Sequence, residues 1–303
     1  MLWTGVLTLG TTTANVKPHW TIVMAKTHRD ILNLIHLFDN GASRESIKEC
    51  LIAGASTHHR PNEDEMLDGA IDLAARLYLM VNVAAQVRMV SEQTRLEWTT
   101  GSLEVALQTH FQEPQVLDHM GLRLDPMFTV CNLERIAGIK IVPTDNLADH
   151  LRMVDRDGTL AVFHNVSFLK RHVSTVLPNE LVAETLRTLS LLFPLNDQET
   201  QKWPKKRTNS LDLDKALAMC APLKPHDREF EKVTFWHDRL VILKQAFDQS
   251  RPSTILQWWH DRRNGVQWYT FWVTIIVLCL TIFFGLVQSI GGALQVYKAF
   301  HPT

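Results

Sequence analysis

Between positions 145 and 164 the chain gathers side chains suited to proton transfer: Asp145, Asp149, His150, Asp155, Asp157 and His164. General acid–base chemistry needs such groups within hydrogen-bond reach of one reacting atom. The spacing works against that. Asp149 and His150 are adjacent, so on a helix they point about 100° apart and cannot form a dyad. Asp155 and Asp157 belong to a turn, and a helix cap, a turn former and a solvated face account for the whole set. The adjacent His58 and His59 invite a metal reading, but neighbouring rings do not easily face one ion, and no third ligand stands at a helpful spacing. Cys50, Cys131, Cys220 and Cys279 lie far apart and form no CxxC pair, which suits a reducing compartment. The sequence holds no phosphate loop, dinucleotide fingerprint or nucleophile motif. It therefore predicts no catalytic residue, no cofactor and no metal, and favours a binding or adaptor protein. The alternative is an enzyme or accessory subunit whose site is assembled from scattered residues, such as His110, His150 or His164 with carboxylates.

The elements that would position these residues are mostly helical. Ile31, Leu34, Ile35 and Phe38 recur at helical spacing, and Asn40-Gly41 ends that helix. A second helix starts from Ser43, with Ile47, Leu51 and Ile52 apolar. Asn62 caps a third, with Glu65 as its capping-box partner; Met66, Leu67, Ala70, Ile71, Ala74 and Leu77 form its buried face. Asp68, Asp72 and Arg76 take its wet side. The stretch from Val81 to Trp98 fits helix or strand equally, and Gly101-Ser102 opens another short helix, with His110 at its edge. Then come a helix over Asn132–Ala137 ended by Gly138, a strand over Ile139–Val142, a helix NLADHLRM capped by Asp145 or Asn146, and a turn at Asp155–Gly158 before a strand over Thr159–His164. Helix, strand, helix and hairpin over 128–165 follow the order of part of a winged helix. DNA binding does not follow from it. Between Arg123 and Arg171 stand seven Lys or Arg against six Asp or Glu, and the net charge of the whole chain is −1. Phosphate neutralisation needs several cations on one surface, so no nucleic-acid partner is expected.

The stretch Trp268–Val287, WYTFWVTIIVLCLTIFFGLV, carries no charge. About twenty apolar residues are what a helix needs to cross the hydrocarbon of a bilayer. Thr270, Thr274 and Thr281 can bond back to their own helix, so they tolerate lipid. Trp258, Trp259, Trp268, Tyr269 and Trp272 crowd one end and Tyr297 marks the other, the placement of amphipathic rings at headgroups. Phe283 and Phe284 belong to the lipid face. Arg251, Arg262 and Arg263 precede the span and Lys298 follows it, a bias that keeps the N-terminal part in the cytosol. A span so placed is expected to insert after translation, as in tail-anchored proteins. A tail with one lysine points to the endoplasmic reticulum or downstream membranes rather than mitochondria. Gly285, Ser289 and Gly292 fall on roughly one helical side, where small residues would let two copies pack. The N-terminal MLWTGVLTLG lacks a basic n-region and reads as a strand or loose arm rather than a signal peptide.

The expected organisation is an unassigned arm over 1–26, a helical cytosolic domain over 27–195, a basic and proline-containing linker over 196–227, an amphipathic helix over 228–250, an interfacial juxtamembrane segment over 251–267, the transmembrane helix over 268–287, and a short tail over 288–303. The fold class is mostly α with a small β-hairpin element, plus one C-terminal transmembrane helix. Within the linker, Lys202, Lys205, Lys206 and Arg207 cluster. In a protein tied to a membrane they could touch anionic headgroups, although a solvated linker is the plainer reading.

The ending QWWHDRRNGVQWYTFWVTIIVLCLTIFFGLVQSIGGALQVYKA resembles the shared C-terminus of a large, uncharacterised family of fungal single-span membrane proteins. The segments DILNLIHLFDNGASRESIKECLI, NLERIAGIKIVPTDNLADHLR and LVAETLRTLSLLFP are similar to that family's other recurrent stretches, in the same order. The resemblance covers roughly Thr27 to the end. It implies a fungal source, one span, lipid as a partner beside an unidentified cytosolic protein, and no site residue.

Overall fold

A computed structural model describes residues 27–54, 63–84, 93–112, 115–117, 124–154, 158–172, 174–207, 213–220, 228, 233–250 and 265–300. The chain is mostly helical, with small sheets and one long apolar helix at its C-terminal end. The helices are α1 (His28–Asp39), α2 (Arg44–Gly54), α3 (Glu63–Leu79), α4 (Leu103–Phe111), α5 (Val130–Arg135), α6 (Val166–Arg171), α7 (Asn179–Leu192), α8 (Gln198–Arg207), α9 (His237–Gln249) and α10 (Gly265–Phe300). The strands are β1 (Val83–Ala84), β2 (Leu96–Glu97), β3 (Lys140–Thr144), β4 (Arg152–Val154) and β5 (Thr159–Phe163). Two compact units interleave along the chain: Met1–Gln115, Pro143–His150 and Phe163–Leu186 form the first, and the remainder forms the second.

In the first unit the apolar period of α1 buries Leu34, Ile35 and Phe38. Its start is fixed by a capping box: the Thr27 hydroxyl accepts the Asp30 N–H at 3.2 Å, and the Asp30 carboxylate accepts the Thr27 N–H at 2.9 Å. Gly41, at φ +69°, takes the left-handed turn that ends the helix. The expected face of α3 is buried from Met66 to Ala74, although Leu77 is only half-buried. Ser102 caps α4 through the Val105 N–H. The ambiguous stretch after Val81 supplies β1 and β2, a two-residue parallel pair. The Asn62 cap and the His58-His59 loop lie outside the described residues.

The wet side assigned to α3 needs correction. Asp68 and Asp72, one helical turn apart, reach across to α2, where Arg44 is 1% exposed. Its Nη2 donates to Asp68 and Asp72, each at 2.8 Å, and Lys48 pairs with Asp68 at 2.8 Å. The Arg44 guanidinium also lies 4.9 Å from the centre of the buried Trp98 ring. Arg44 and Lys48 thus match Asp68 and Asp72 at the same i,i+4 spacing. Burial pushes the Asp68 carboxyl up, but Lys48 and Arg44 outweigh it and hold it below its ordinary value.

In the second unit, Thr129 caps α5 through the Asn132 N–H, and the chain turns at Gly138, φ +71°. A three-stranded sheet follows in the order β3-β5-β4. Strands β4 and β5 are antiparallel, with Arg152 opposite Ala161, Met153 opposite Leu160 and Val154 opposite Thr159. This is the expected hairpin, although residues 155–157 of its turn lie outside the described residues.

The helix NLADHLRM does not form. Leu147–Asp149 makes one 3-10 turn, His150 is extended, Leu151 takes φ +58°, and the chain enters β4. Two competitors win over helical propensity. Arg152–Val154 gains a ladder with β5, and the Asp149 carboxylate is held by the Thr94 N–H at 2.9 Å and the Asn146 side-chain amide at 2.8 Å. The second helix of a winged helix is therefore a 3-10 turn and a strand in this protein.

The segment read as a polar linker is the helix α8. Asp197 starts it, accepting the Glu199 N–H at 3.1 Å and the Thr200 hydroxyl at 2.5 Å. Trp203 anchors it, buried against Phe193 and donating to Glu134 at 2.8 Å. The second linker also carries structure, a 3-10 turn over Lys215–Met219 with Leu213, Leu217 and Cys220 buried. Helix α9 begins at His237 rather than near Arg228; Phe247 meets Phe128 edge-on at 5.6 Å. Asp238 accepts the backbone N–H groups of Val116 at 2.9 Å and Leu117 at 3.4 Å, which ties these two residues to α9.

Candidate functional site: an apolar C-terminal helix

Helix α10 runs 36 residues from Gly265 to Phe300. Its candidate span, Trp268–Tyr297, covers 30 residues; within it an 18-residue stretch reaches a mean hydropathy of 2.5, and none of that stretch is buried in the protein. The helix is long and apolar enough to cross a membrane. At about 1.5 Å per residue, Trp268 to Tyr297 spans about 44 Å, close to a bilayer with its headgroup layers, and the first twenty residues cover about 30 Å of hydrocarbon. The helix continues past Val287, so most of the stretch read as a short tail is helical.

The backbone explains why so many side chains can stay apolar and outward. Every interior N–H and C=O is satisfied along the helix, and its hydroxyls are satisfied locally. Thr270 donates to the Val266 carbonyl, Thr274 to Thr270 and Thr281 to Val277, each at 2.8 Å, as expected from the sequence. Ile276, Leu278, Ile282, Phe283, Phe284 and Leu286 are all more than half exposed. Trp268 stacks at its start with Tyr269 edge-on at 5.2 Å and Trp272 tilted at 6.1 Å, which forms an aromatic collar; Tyr297 stands at the far end. Trp258, Trp259, Arg262 and Arg263 lie outside the described residues. Gly285, Ser289 and Gly292 fall within about 60° of one another around the helix. A Cβ added at Gly285 or Gly292 would meet nothing within 4 Å, so neither glycine is required by packing inside this chain.

Asp149, His150 and His164 are buried in the fold, which corrects their description as a solvated face, whereas Asp155 and Asp157 lie outside the described residues. Asp149 is 1% and His150 0% exposed. His150 accepts the Phe163 N–H at Nδ1, 3.3 Å away. Asn146 joins Asp149 to the Asn82 N–H at 2.9 Å and the Thr94 carbonyl at 2.8 Å. His164 does meet a carboxylate, Asp145, at 3.0 Å. The imidazole is the buried partner and the carboxylate the exposed one, the reverse of a dyad that presents its imidazole to a substrate. His110 stays at the edge of α4, half-buried against Phe111. Among the described residues no three His, Cys, Asp or Glu side chains converge on a metal position.

A further polar cluster was not legible in sequence. The Tyr78 hydroxyl donates to Asp39 at 2.5 Å, and Thr175 donates to the same carboxylate at 3.3 Å. Burial, then the Asp39 carboxylate, push Tyr78 up to about 12. The His172 ring packs against Tyr78 and Phe168 at 5.3 and 4.7 Å, and burial holds its pKa below the usual histidine value. The Asp39 carboxylate thus joins α1 to α3 through Tyr78 and to the segment before α7 through Thr175.

The Asp145–His164 pair yields a pH prediction. The hydrogen bond from His164 holds the Asp145 carboxyl below its ordinary range, against the effect of burial. A carboxyl with a depressed folded pKa contributes stability above about pH 4, and that contribution is lost as pH falls through the folded value. Asp145→Asn should therefore be less stable than wild type near neutrality, by about 1 kcal/mol for so exposed a carboxylate. The two pH–stability curves should converge below about pH 3. Thermal unfolding followed across this range checks it; a gap that persists in acid would contradict it.

Comparison with protein-family models, curated proteins and solved structures finds no match to this chain.

Proposed function

We propose that the chain is a single-pass membrane protein whose α10 crosses the bilayer while the folded part before it faces the cytosol and binds a protein partner. The observation that carries the reading is α10 itself: a 30-residue uncharged stretch whose most apolar 18 residues are not buried in the protein at all. Water would have to hydrate that whole surface, whereas lipid hydrates none of it. The cytosolic orientation is supported by Arg251, Arg262 and Arg263 before the helix against Lys298 after the apolar stretch. A binding role is supported by the internal use of the acid–base groups: Asp149 and His150 hold backbone N–H groups, and Asp145 holds His164.

Protease protection on microsomes, with a tag at each terminus and carbonate extraction alongside, tests this reading. The expected result is digestion of the N-terminal tag while the protein stays in the carbonate pellet. A protected N-terminal tag inverts the topology and removes cytosolic partners. Release by carbonate removes the span.

A further inference from the structure

We propose that α10 pairs in the membrane with the α10 of a second copy of this chain, parallel to it, along a polar seam that carries Gln288 and Gln295. The proposal rests on α10 being a span. Outside the aromatic rings, Thr270, Thr274, Thr281, Gln288, Ser289 and Gln295 carry the hydroxyls and amides between Trp268 and Tyr297. They are spread from one end of the stretch to the other, yet a helix turning about 100° per residue gathers them within about 120° of arc. Ile276, Phe283, Val287, Ile290 and Leu294 occupy the opposite arc, each more than half exposed. A helix surrounded by lipid on all sides has no reason to sort its polar groups in this way.

The spacing along the seam specifies a helix as its occupant. Thr274, Thr281, Gln288 and Gln295 recur at intervals of seven, and Leu278, Gly285 and Gly292 stand four residues after the first three of them. A seven-residue period is what two helices in a left-handed supercoil keep at their contact. The glycines leave bare backbone there, and a Cβ at either would meet nothing within 4 Å inside this chain. Such positions let a second helix approach closely. The seam threonines are satisfied by their own helix, since Thr274 and Thr281 donate to carbonyls one turn earlier. The glutamines are not: both side chains are exposed, and among the described residues neither amide has a hydrogen-bond partner. With the span centred between Trp268 and Tyr297, Gln288 lies about 8 Å from the bilayer midplane, inside the hydrocarbon. An amide at that depth is costly unless another polar group meets it.

A second copy is the occupant that supplies this group. A primary amide both donates and accepts, so it is its own complement. Two such amides meet when their helices are parallel and at equal depth. Copies inserted with one topology fulfil both conditions without adjustment, and one patch then serves both sides of a two-fold contact.

The test uses the full chain in phosphatidylcholine vesicles at low protein density, with donor-labelled and acceptor-labelled copies mixed before reconstitution. Energy transfer should rise in proportion to the acceptor-labelled fraction, as for a dimer. Gln288→Leu with Gln295→Leu should weaken association at least about threefold, and Gly285→Ile with Gly292→Ile should also weaken it by blocking close approach. Phe283→Leu with Ile290→Leu, on the opposite arc, should leave it unchanged. All three variants keep the helix apolar and therefore inserted. Wild-type chains without energy transfer overturn the proposal and leave the seam to a different helix. Transfer that persists at the wild-type level in the glutamine and glycine variants also overturns it, because the folded part is then what self-associates. An equal loss in the opposite-arc variant does the same. Flotation after carbonate washing reports insertion separately: protein that floats without transfer sinks this proposal alone, and protein that fails to float sinks the span with it.

Discussion

Leu278→Arg combined with Leu280→Arg should release the protein from carbonate-washed membranes into the supernatant. Both positions lie near the middle of the apolar stretch, and their side chains are 57% and 49% exposed. Neither packs on anything in the folded part, so the change should leave the two units intact. An arginine near the centre of a membrane helix costs about 2.5–3.5 kcal/mol on insertion, so the pair costs about 5–7 kcal/mol. Two arginines two residues apart point to different sides of the helix, and one polar face cannot shelter both. Exchange of Val266 and Phe300 for arginine, at the two helix ends, serves as the control. There the long side chains reach the headgroups, and membrane retention should be unchanged. Membrane retention of the Leu278/Leu280 variant would mean that α10 is not what holds the chain.

What was legible in sequence was whatever a short window determines. The apolar period with its punctuation placed α1 and α4, because Gly41 and Ser102 fix their own backbone. The same holds for α10: from Asn264 to Tyr297 no charged residue interrupts, and length alone sets what that can do. What failed depended on partners distant in sequence. NLADHLRM has an acceptable helical composition, yet Thr94, 55 residues before Asp149, and the β5 ladder claim its groups. Helix α8 reads as linker because its apolar content is one tryptophan, and that tryptophan is anchored by Glu134, 69 residues away. The polar clusters failed for the same reason. Nothing local at Asp39 announces Tyr78, and a carboxylate on the outer face of α3 looks solvated until α2 is placed against it. The pairing of Arg44 and Lys48 with Asp68 and Asp72 at equal spacing was the one available sign of that contact.

Arg44→Ala should open the α2–α3 contact by about two orders of magnitude in native-state hydrogen exchange. Arg44 is the most buried charge of that contact, 1% exposed, between two carboxylates that are 26% and 21% exposed. Removing one partner of a buried pair costs about 3–5 kcal/mol; the partly wet carboxylates place this site at the lower end, about 3 kcal/mol. The side chain also covers Trp98, so truncation leaves a void beside a large ring as well as a like-charged pair one helical turn apart. Lysine is not an adequate substitute. Arg44 uses Nε and Nη2 on Asp68 and Nη2 on Asp72, a fork that one ammonium cannot reproduce. The triple change Arg44→Met, Asp68→Asn, Asp72→Asn separates charge from packing, since it fills the space and removes the repulsion. It should recover most of the lost protection, whereas Arg44→Lys recovers little. The effect is also pH-dependent with a defined sign. Asp68 is held below its ordinary pKa, so its stabilisation is present above about pH 4 and is lost as pH falls through the folded value. The gap between wild type and Arg44→Ala should narrow in acid. Amides of α2 and α3 that exchange at wild-type rates in Arg44→Ala at neutral pH would show that the buried guanidinium contributes nothing net, and that packing around Trp98 alone holds the first unit together.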